Sequence, residues 1–183
     1  MCIGAHMDLT EIPTFASDDT FHVVVESPRG SHVKLKYEAR WQTMAISRPL
    51  ALGLSYPCDW GFVPSTKGPD GDPVDALVYW DTTTAPGVVV ECRAGGILRV
   101  EQNHLGDPTR RIRNDRLFAL PTASRRGSSL VSIADLPSRV RDELTHFVIA
   151  STLFEGKDPK VLGWDDPEAA LTWLKQQSAA LVR

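Results

Sequence analysis

Cysteine is scarce in this chain, and what there is does not pair up. Cys2, Cys58 and Cys92 are odd in number, widely spaced and form no Cys-x-x-Cys. That excludes a disulfide framework, argues against a zinc site and makes a reducing cytoplasm the expected compartment. Basic excess is missing too. Lys and Arg total 20 against 23 Asp and Glu, for a net charge of −3. A general nucleic-acid binder is usually basic, so no nucleic-acid partner is expected. No uninterrupted apolar run approaches membrane length, so no membrane partner is expected either. The start of the chain lacks the basic-then-apolar pattern of a secretory leader. Within Met1 to Met7, Gly4-Ala5-His6-Met7 looks like a cloning remnant. No internal repeat is present.

What is present suits one domain with a sizeable core. Residues 1–20 read as a loose lead-in and 21–183 as the domain. Phe21 to Glu26 is a valine-rich strand. Lys34-Leu35-Lys36-Tyr37-Glu38 alternates polar and apolar, putting Lys34, Lys36 and Glu38 on one strand face. Further short strands are expected around Met44–Ile46, Ala76–Tyr79, Val88–Arg93, Ile97–Glu101 and Leu117–Leu120, separated by Pro and Gly. Many short strands with turn signals suggest a barrel or a sandwich. The pattern then becomes helical. Asp135 and Pro137 mark a start, Val140, Leu144, Phe147, Ser151 and Phe154 follow at helical spacing, and Gly156 marks the end. A second helix begins near Asp166-Pro167-Glu168 and carries Leu171, Leu174 and Leu181. Strands first and helices last make an α+β fold, a small barrel with helices outside. Asn103–Arg113 and Ser124–Ser129, with Arg110, Arg111, Arg113, Arg125 and Arg126, read as solvated basic loops.

The chemistry concentrates in Asp70-Gly71-Asp72-Pro73-Val74-Asp75, three carboxylates in six residues. Carboxylate oxygens suit Mg²⁺ and Mn²⁺. Asp70 and Asp72 lie two apart and point the same way in an extended chain. Asp75 precedes the apolar run Ala76-Leu77-Val78-Tyr79, at the mouth of a strand. The other reading is an acidic surface turn, since Asp-Gly and Asp-Pro form turns. Upstream lie Glu26 in Val24-Val25-Glu26-Ser27-Pro28, then Lys36-Tyr37-Glu38, then Arg48 in Ser47-Arg48-Pro49. Tyr56-Pro57-Cys58-Asp59-Trp60-Gly61-Phe62 leads into the acidic run. Acids that hold metal, interleaved with cations that hold phosphate, fit the cleavage of a polyanion complexed to Mg²⁺. Each group also has a plain alternative. Glu26 can end a strand, Lys36 and Glu38 can form a surface pair, Arg48 can cap a loop, and Tyr56 and Trp60 can be core aromatics.

The block Tyr-Pro-Cys-Asp-Trp-Gly-Phe followed by Asp-Gly-Asp-Pro-Val-Asp resembles the family I soluble inorganic pyrophosphatases. The resemblance runs from about Phe21 to Trp173. It implies a closed five-stranded OB-like barrel, a cytoplasmic homo-oligomer and Mg²⁺-dependent hydrolysis of pyrophosphate, with Mn²⁺ as the other candidate ion. It also implies roles. Asp70 and Asp75 are ligands of a tight metal pair, Asp75 bridging, and Asp72 is the general base for a water whose pKa the metals lower. Glu26 reaches a metal through water, and Glu38 helps hold the site together. Lys36, Arg48 and Tyr56 contact phosphate, Arg48 through its bidentate fork. Tyr56 counts with Asp72 among the catalytic groups.

The downstream half departs from the family pattern. An acid is expected after a Gly-Val-Leu-Lys-like strand, but Gly96-Ile97-Leu98-Arg99-Val100 leads into Glu101-Gln102, with Gln102 at the matching position. The next feature, Asp-x-Lys, reads Asn114-Asp115-Arg116, which puts Arg116 among the phosphate contacts. Either Asn114 points into the site and the site runs with one less charge, or a register shift turns Asp115 inward. The second is the expectation here, because a dication favours a charged ligand. The helical Tyr-Lys pair appears as Ser151-Thr152, with Lys157 a turn beyond as the compensating cation. Two other functions stay open: hydrolysis of a different phosphoanhydride on the same scaffold, and a non-catalytic binder of Mg²⁺ or pyrophosphate.

Overall fold

The structure is a computed structural model that describes residues 8–125 and 129–181. The remnant-like Met1–Met7, Cys2 and Arg126 lie outside the described residues. The described residues form nine strands and two α-helices, in order. They are β1 (Thr20–Ser27), β2 (Val33–Glu38), β3 (Thr43–Pro49), β4 (Asp59–Val63), β5 (Val74–Val78), β6 (Val89–His104), β7 (Asp107–Arg113), β8 (Arg116–Pro121), α1 (Ser138–Ala150), β9 (Lys160–Asp165) and α2 (Pro167–Leu181).

Five strands close on themselves in the order β1-β4-β5-β8-β6, because β6 pairs back to β1. Closure leaves no open edge within that ring. Only β5 and β8 run parallel; the other four contacts around the ring are antiparallel. The long β6 continues past the ring, where β7 folds back on it as a hairpin and β9 pairs along its other edge. β2 and β3 form a separate two-stranded sheet.

Both faces of the ring strands are buried, which is why Ala76-Leu77-Val78 and Leu117–Leu120 are continuous apolar runs rather than alternating ones. Val23, Val25, Ala76, Val78, Ile97 and Leu117 pack with Ala170 and Leu174 of α2. On the opposite face, Leu77, Leu98, Val100, Phe118 and Leu120 pack with Leu144, Phe147 and Val148 of α1. Leu144 and Phe147 are the helical positions that the spacing marks as core. Phe154 is not: α1 ends at Ala150 and Phe154 is 81% exposed.

Four strands differ from expectation. β4 was not anticipated, because it carries Asp59 and Gly61. Gly61 is there because a Cβ at that position would sit 2.0 Å from the carbonyl oxygen of Val24 on β1. The expected strands around 88–93 and 97–101 are one strand, β6. Its Gly95-Gly96 is a bulge against β8 rather than a break, with Gly96 at φ +148 and backbone close enough that a Cβ would meet Ile133. The expected basic loop 103–113 contains β7, and β9 appears where no strand was expected.

Candidate active site

One cleft gathers most of the expected site residues. Glu26, Lys36, Arg48, Tyr56, Asp70, Asp72, Asp75, Asn114, Arg116, Ser151, Thr152 and Lys157 line a cavity of about 140 Å³. Glu26 enters from the end of β1, Lys36 from β2, Arg48 from β3 and Asp75 from β5, while Asp70 and Asp72 sit on the turn leading into β5. The turn forms locally: the backbone N–H of Asp72 donates to Asp70 Oδ1 at 3.3 Å and Gly71 takes φ +90. Glycine reaches that φ at little cost.

The acids of the cleft crowd one another. Burial pushes the Glu26 carboxyl up to about 7, and the nearby Asp75 charge adds to the shift, against the backbone N–H of Tyr37, which donates to Oε1 at 2.7 Å. Burial, then the charge of Asp75, raises Asp70 as well. Lys36 Nζ lies 3.3 Å from Asp72 Oδ2, with both side chains half-exposed. Burial works against the Lys36 charge, but Asp72, Glu26 and Asp75 together outweigh it and the net shift is upward. Tyr56 is buried among Trp60 and Phe147, with ring centroids 5.9 and 5.0 Å away. Burial pushes its phenol up to about 12, so it stays a proton-bearing donor at neutral pH.

The side of the cleft formed by the start of β8 and the end of α1 is bonded to itself. Arg116 is 5% exposed, and its Nε lies 3.2 Å from Asp75 Oδ2. It donates to both oxygens of Asn114 and lies over Trp60, 5.6 Å from the ring centroid. Trp60 Nε1 donates to Asp75 Oδ1 at 3.3 Å. Arg48 pairs with Glu155 at 3.1 Å and donates to the carbonyl of Ser151. The hydroxyls of Ser151 and Thr152 turn back onto helix carbonyls, Val148 at 3.0 Å and Ile149 at 3.2 Å. Lys157 does enter the cleft, where burial, then Lys34 and Arg116, lower its pKa.

Several expected residues are elsewhere. Asp115 is buried outside the cleft lining. Its carboxylate accepts from Arg99 at 3.0 Å, from the backbone N–H of Val100 at 2.9 Å and from Arg113 at 2.9 Å. No register shift turns it inward; Asn114 takes the cleft-facing position, and Asp115, expected as a metal ligand, does not line the cleft. Glu38 is not a cleft residue either, because Arg40 holds it at 2.9 Å on the surface. Glu101 faces Arg111 at 3.9 Å, and Gln102 is buried opposite Ile112. Neither lines the cleft. Lys34 and Trp60 do line it. Lys34 was signalled by sharing a strand face with Lys36. Trp60 was read more simply as core, and it serves both purposes.

The donor set suits a hard divalent ion: Asp70, Asp72 and Glu26 present carboxylate oxygens to the same space. Among the described residues, no three metal-ligating side chains converge as they stand. The Asp70 side is the part of the cleft that fits such an ion, since Asp75 is engaged by Arg116 and Trp60.

Comparison with known proteins agrees with this arrangement. Residues 23–181 match the family model described as Pyrophosphatase: Inorganic pyrophosphatase. The chain is 36% identical to the inorganic pyrophosphatase of Thermus thermophilus over 156 residues, covering 84% of this chain and 85% of that one. It is 32% identical to the inorganic pyrophosphatase of Synechocystis, covering 93% and 96%. The crystal structure of the Thermus thermophilus protein superposes with a TM-score of 0.87 at 31% identity, covering 97% of this chain and all of that one. A match over most of its length places this chain in the inorganic pyrophosphatase family, the family I hydrolases that its motifs resemble.

Proposed function

We propose that this cleft hydrolyses inorganic pyrophosphate to two phosphates with the help of a divalent ion, Mg²⁺ or Mn²⁺. One observation carries the reading: the carboxylates Asp70, Asp72 and Glu26 share a single cleft with Lys34, Lys36, Arg48 and Lys157. A metal-complexed polyanion needs both kinds of group at once.

Asp70 would hold the ion, with Glu26 nearby to support it. When bound, the ion acts as a Lewis acid that polarises phosphoryl oxygen and lowers the pKa of nearby water. Asp72 accepts the proton of the attacking water. The water oxygen forms a bond to one phosphorus, and the bond from that phosphorus to the bridging oxygen breaks. The leaving phosphate departs with the electron pair, its charge met by Lys36, Arg48 and Lys157. Tyr56 donates its phenolic hydrogen to a phosphate oxygen. Asp75 acts through its pair with Arg116, holding that guanidinium against the cleft. The ring of five strands forms an OB-like barrel within one domain of residues 21–183.

The compartment is the cytoplasm, in keeping with the free, buried Cys58 and Cys92. The chain is a homo-oligomer, supported by Leu153 and Phe154, 64% and 81% exposed beside α1. Sedimentation will show a species larger than 20.2 kDa; a fully active monomer contradicts the assembly.

A second reading, a longer phosphoanhydride, is favoured at the Ser151–Thr152 end, where both hydroxyls are spent on the helix. Phosphate release is therefore measured from pyrophosphate, tripolyphosphate and ATP, each with Mg²⁺ and with EDTA. The proposal expects the largest kcat/KM on pyrophosphate and none with EDTA. Preference for the longer substrates selects the second reading, and no release from any of them defeats both.

A further inference from the structure

Arg116 differs from the other cations of the cleft. Its side chain is 5% exposed, against 52% for Lys36. A guanidinium buried to that degree is stable only if it is paired. Its side-chain partners belong to the site: Asp75 on one side, both oxygens of Asn114 on another, and the face of Trp60 beneath, with the backbone carbonyl of Asp115 accepting at 3.3 Å besides. Its Nε meets Asp75 at 3.2 Å but is too poorly aligned to count as a hydrogen bond, so the contact is an ion pair. Asp75 is engaged at both oxygens, one by Arg116 and the other by Trp60 Nε1. The amide oxygen of Asn114 is also spent on Arg116.

The charge balance points the same way. Four carboxylates line the cleft, Glu26, Asp70, Asp72 and Asp75, with five cations, Lys34, Lys36, Arg48, Arg116 and Lys157. Arg48 is paired with Glu155, so the other four cations already match the four acids before any metal enters. No acid is left in excess for an added divalent ion, and Asp75 has its nearest positive charge already in place.

We infer that Arg116 is a resident cation that holds Asp75 closed to a divalent ion, so the resting cleft takes a single tight ion, on its Asp70 side, and gains a second only when Arg116 is withdrawn. This deepens the metal-dependent reading above and rests on it. The competing explanation is simpler: Asn114 lacks a charge, and that alone limits ion binding. The two differ in what Asn114→Asp does. If Arg116 is the block, a carboxylate at 114 tightens its grip on the guanidinium and no ion is gained. If the missing charge is the cause, the same substitution gains an ion with Arg116 still present.

The test counts Mn²⁺ bound per chain by electron paramagnetic resonance and calorimetry, on the full chain without pyrophosphate, so it does not depend on turnover. Wild type and Asn114→Asp are each expected to bind about one tight ion. Arg116→Ala and Arg116→Gln are expected to bind about two. Arg116→Gln removes the charge while keeping a polar side chain for Asn114 and serves if Arg116→Ala does not fold, which near-ultraviolet circular dichroism reports. Two tight ions on wild type, a second ion on Asn114→Asp alone, or a wild-type count on the folded Arg116 variants overturns the inference. Phosphate release is measured alongside. Absent release with the expected counts removes the pyrophosphatase reading, whereas normal release with the wrong counts removes only the role of Arg116.

Discussion

The two walls of the cleft are built on opposite plans. On one, Asp72 and Lys36 stand at the surface and Asp70 is half-buried, tied down by a turn hydrogen bond and one half-exposed ion pair. On the other, Asp75, Asn114, Arg116 and Trp60 bond to each other and leave little free. Groups of the first kind can move onto a metal or a phosphate, because a surface pair is worth only about 0–1 kcal/mol and is readily exchanged. Groups of the second kind fix shape, because breaking a buried pair leaves an uncompensated charge. On the proposed reading, chemistry belongs to the first wall and architecture to the second.

The sharpest way to break this comparison is to strip the rigid wall. Asp75→Asn leaves Arg116 buried without its anion. It should cost about 3 kcal/mol, roughly 6–12 °C in melting midpoint for a chain of this size, and lower turnover at least about tenfold through the displaced Arg116. A melting midpoint equal to wild type would show that the wall is not held by this pair. Outside the cleft, Asp115→Ala strips Arg99, Arg113 and the Val100 N–H of their acceptor. A loss of about 3 kcal/mol is expected, with the Mg²⁺ requirement of activity unchanged. A raised Mg²⁺ requirement would return Asp115 to the metal site.

Asp115 also shows where sequence reasoning stops. Weighed against an amide, a carboxylate is the better ligand for a dication. But Arg99 lies sixteen residues away in sequence, and its approach to Asp115 depends on how β6 meets the start of β8. Local pattern does not contain that contact. The motif residues read well for the opposite reason. Asp70 and Asp72 share a side because they are two apart, and Lys36 faces the cleft because β2 alternates. The valine-rich β1 and the apolar β5 were equally legible. β7 was not, since Asp107-Pro108-Thr109-Arg110-Arg111 has the composition of a loop and becomes a strand only by pairing with β6. β4 was hidden by Gly61, whose purpose is the close approach of β1.

Glu26 offers a sharper probe through pH. Its carboxyl is raised from an ordinary 4.5 to about 7 in the folded chain. Between those values the folded state keeps a proton that the unfolded state has released. Stability therefore falls as pH rises from 4.5 to 7 and levels off above, by about 3 kcal/mol in total. Denaturation in EDTA should show this decline, and Glu26→Gln should flatten it. The same slope in the variant would assign the effect to another group. The smallest effect on stability belongs to the open wall. Lys36→Ala should change unfolding free energy by less than about 1 kcal/mol while raising KM for pyrophosphate about tenfold. A large stability loss would mean that the open wall is structural after all.

The claim that the open wall carries the chemistry rests most directly on Asp72. Steady-state phosphate release from pyrophosphate, over a Mg²⁺ titration, compares wild type with Asp72→Asn, with melting midpoints recorded on the same samples. The account predicts that the variant loses about 10²–10⁴-fold in kcat at every Mg²⁺ concentration, with its melting midpoint unmoved. Turnover near wild type, or a loss that extra Mg²⁺ restores, would contradict it.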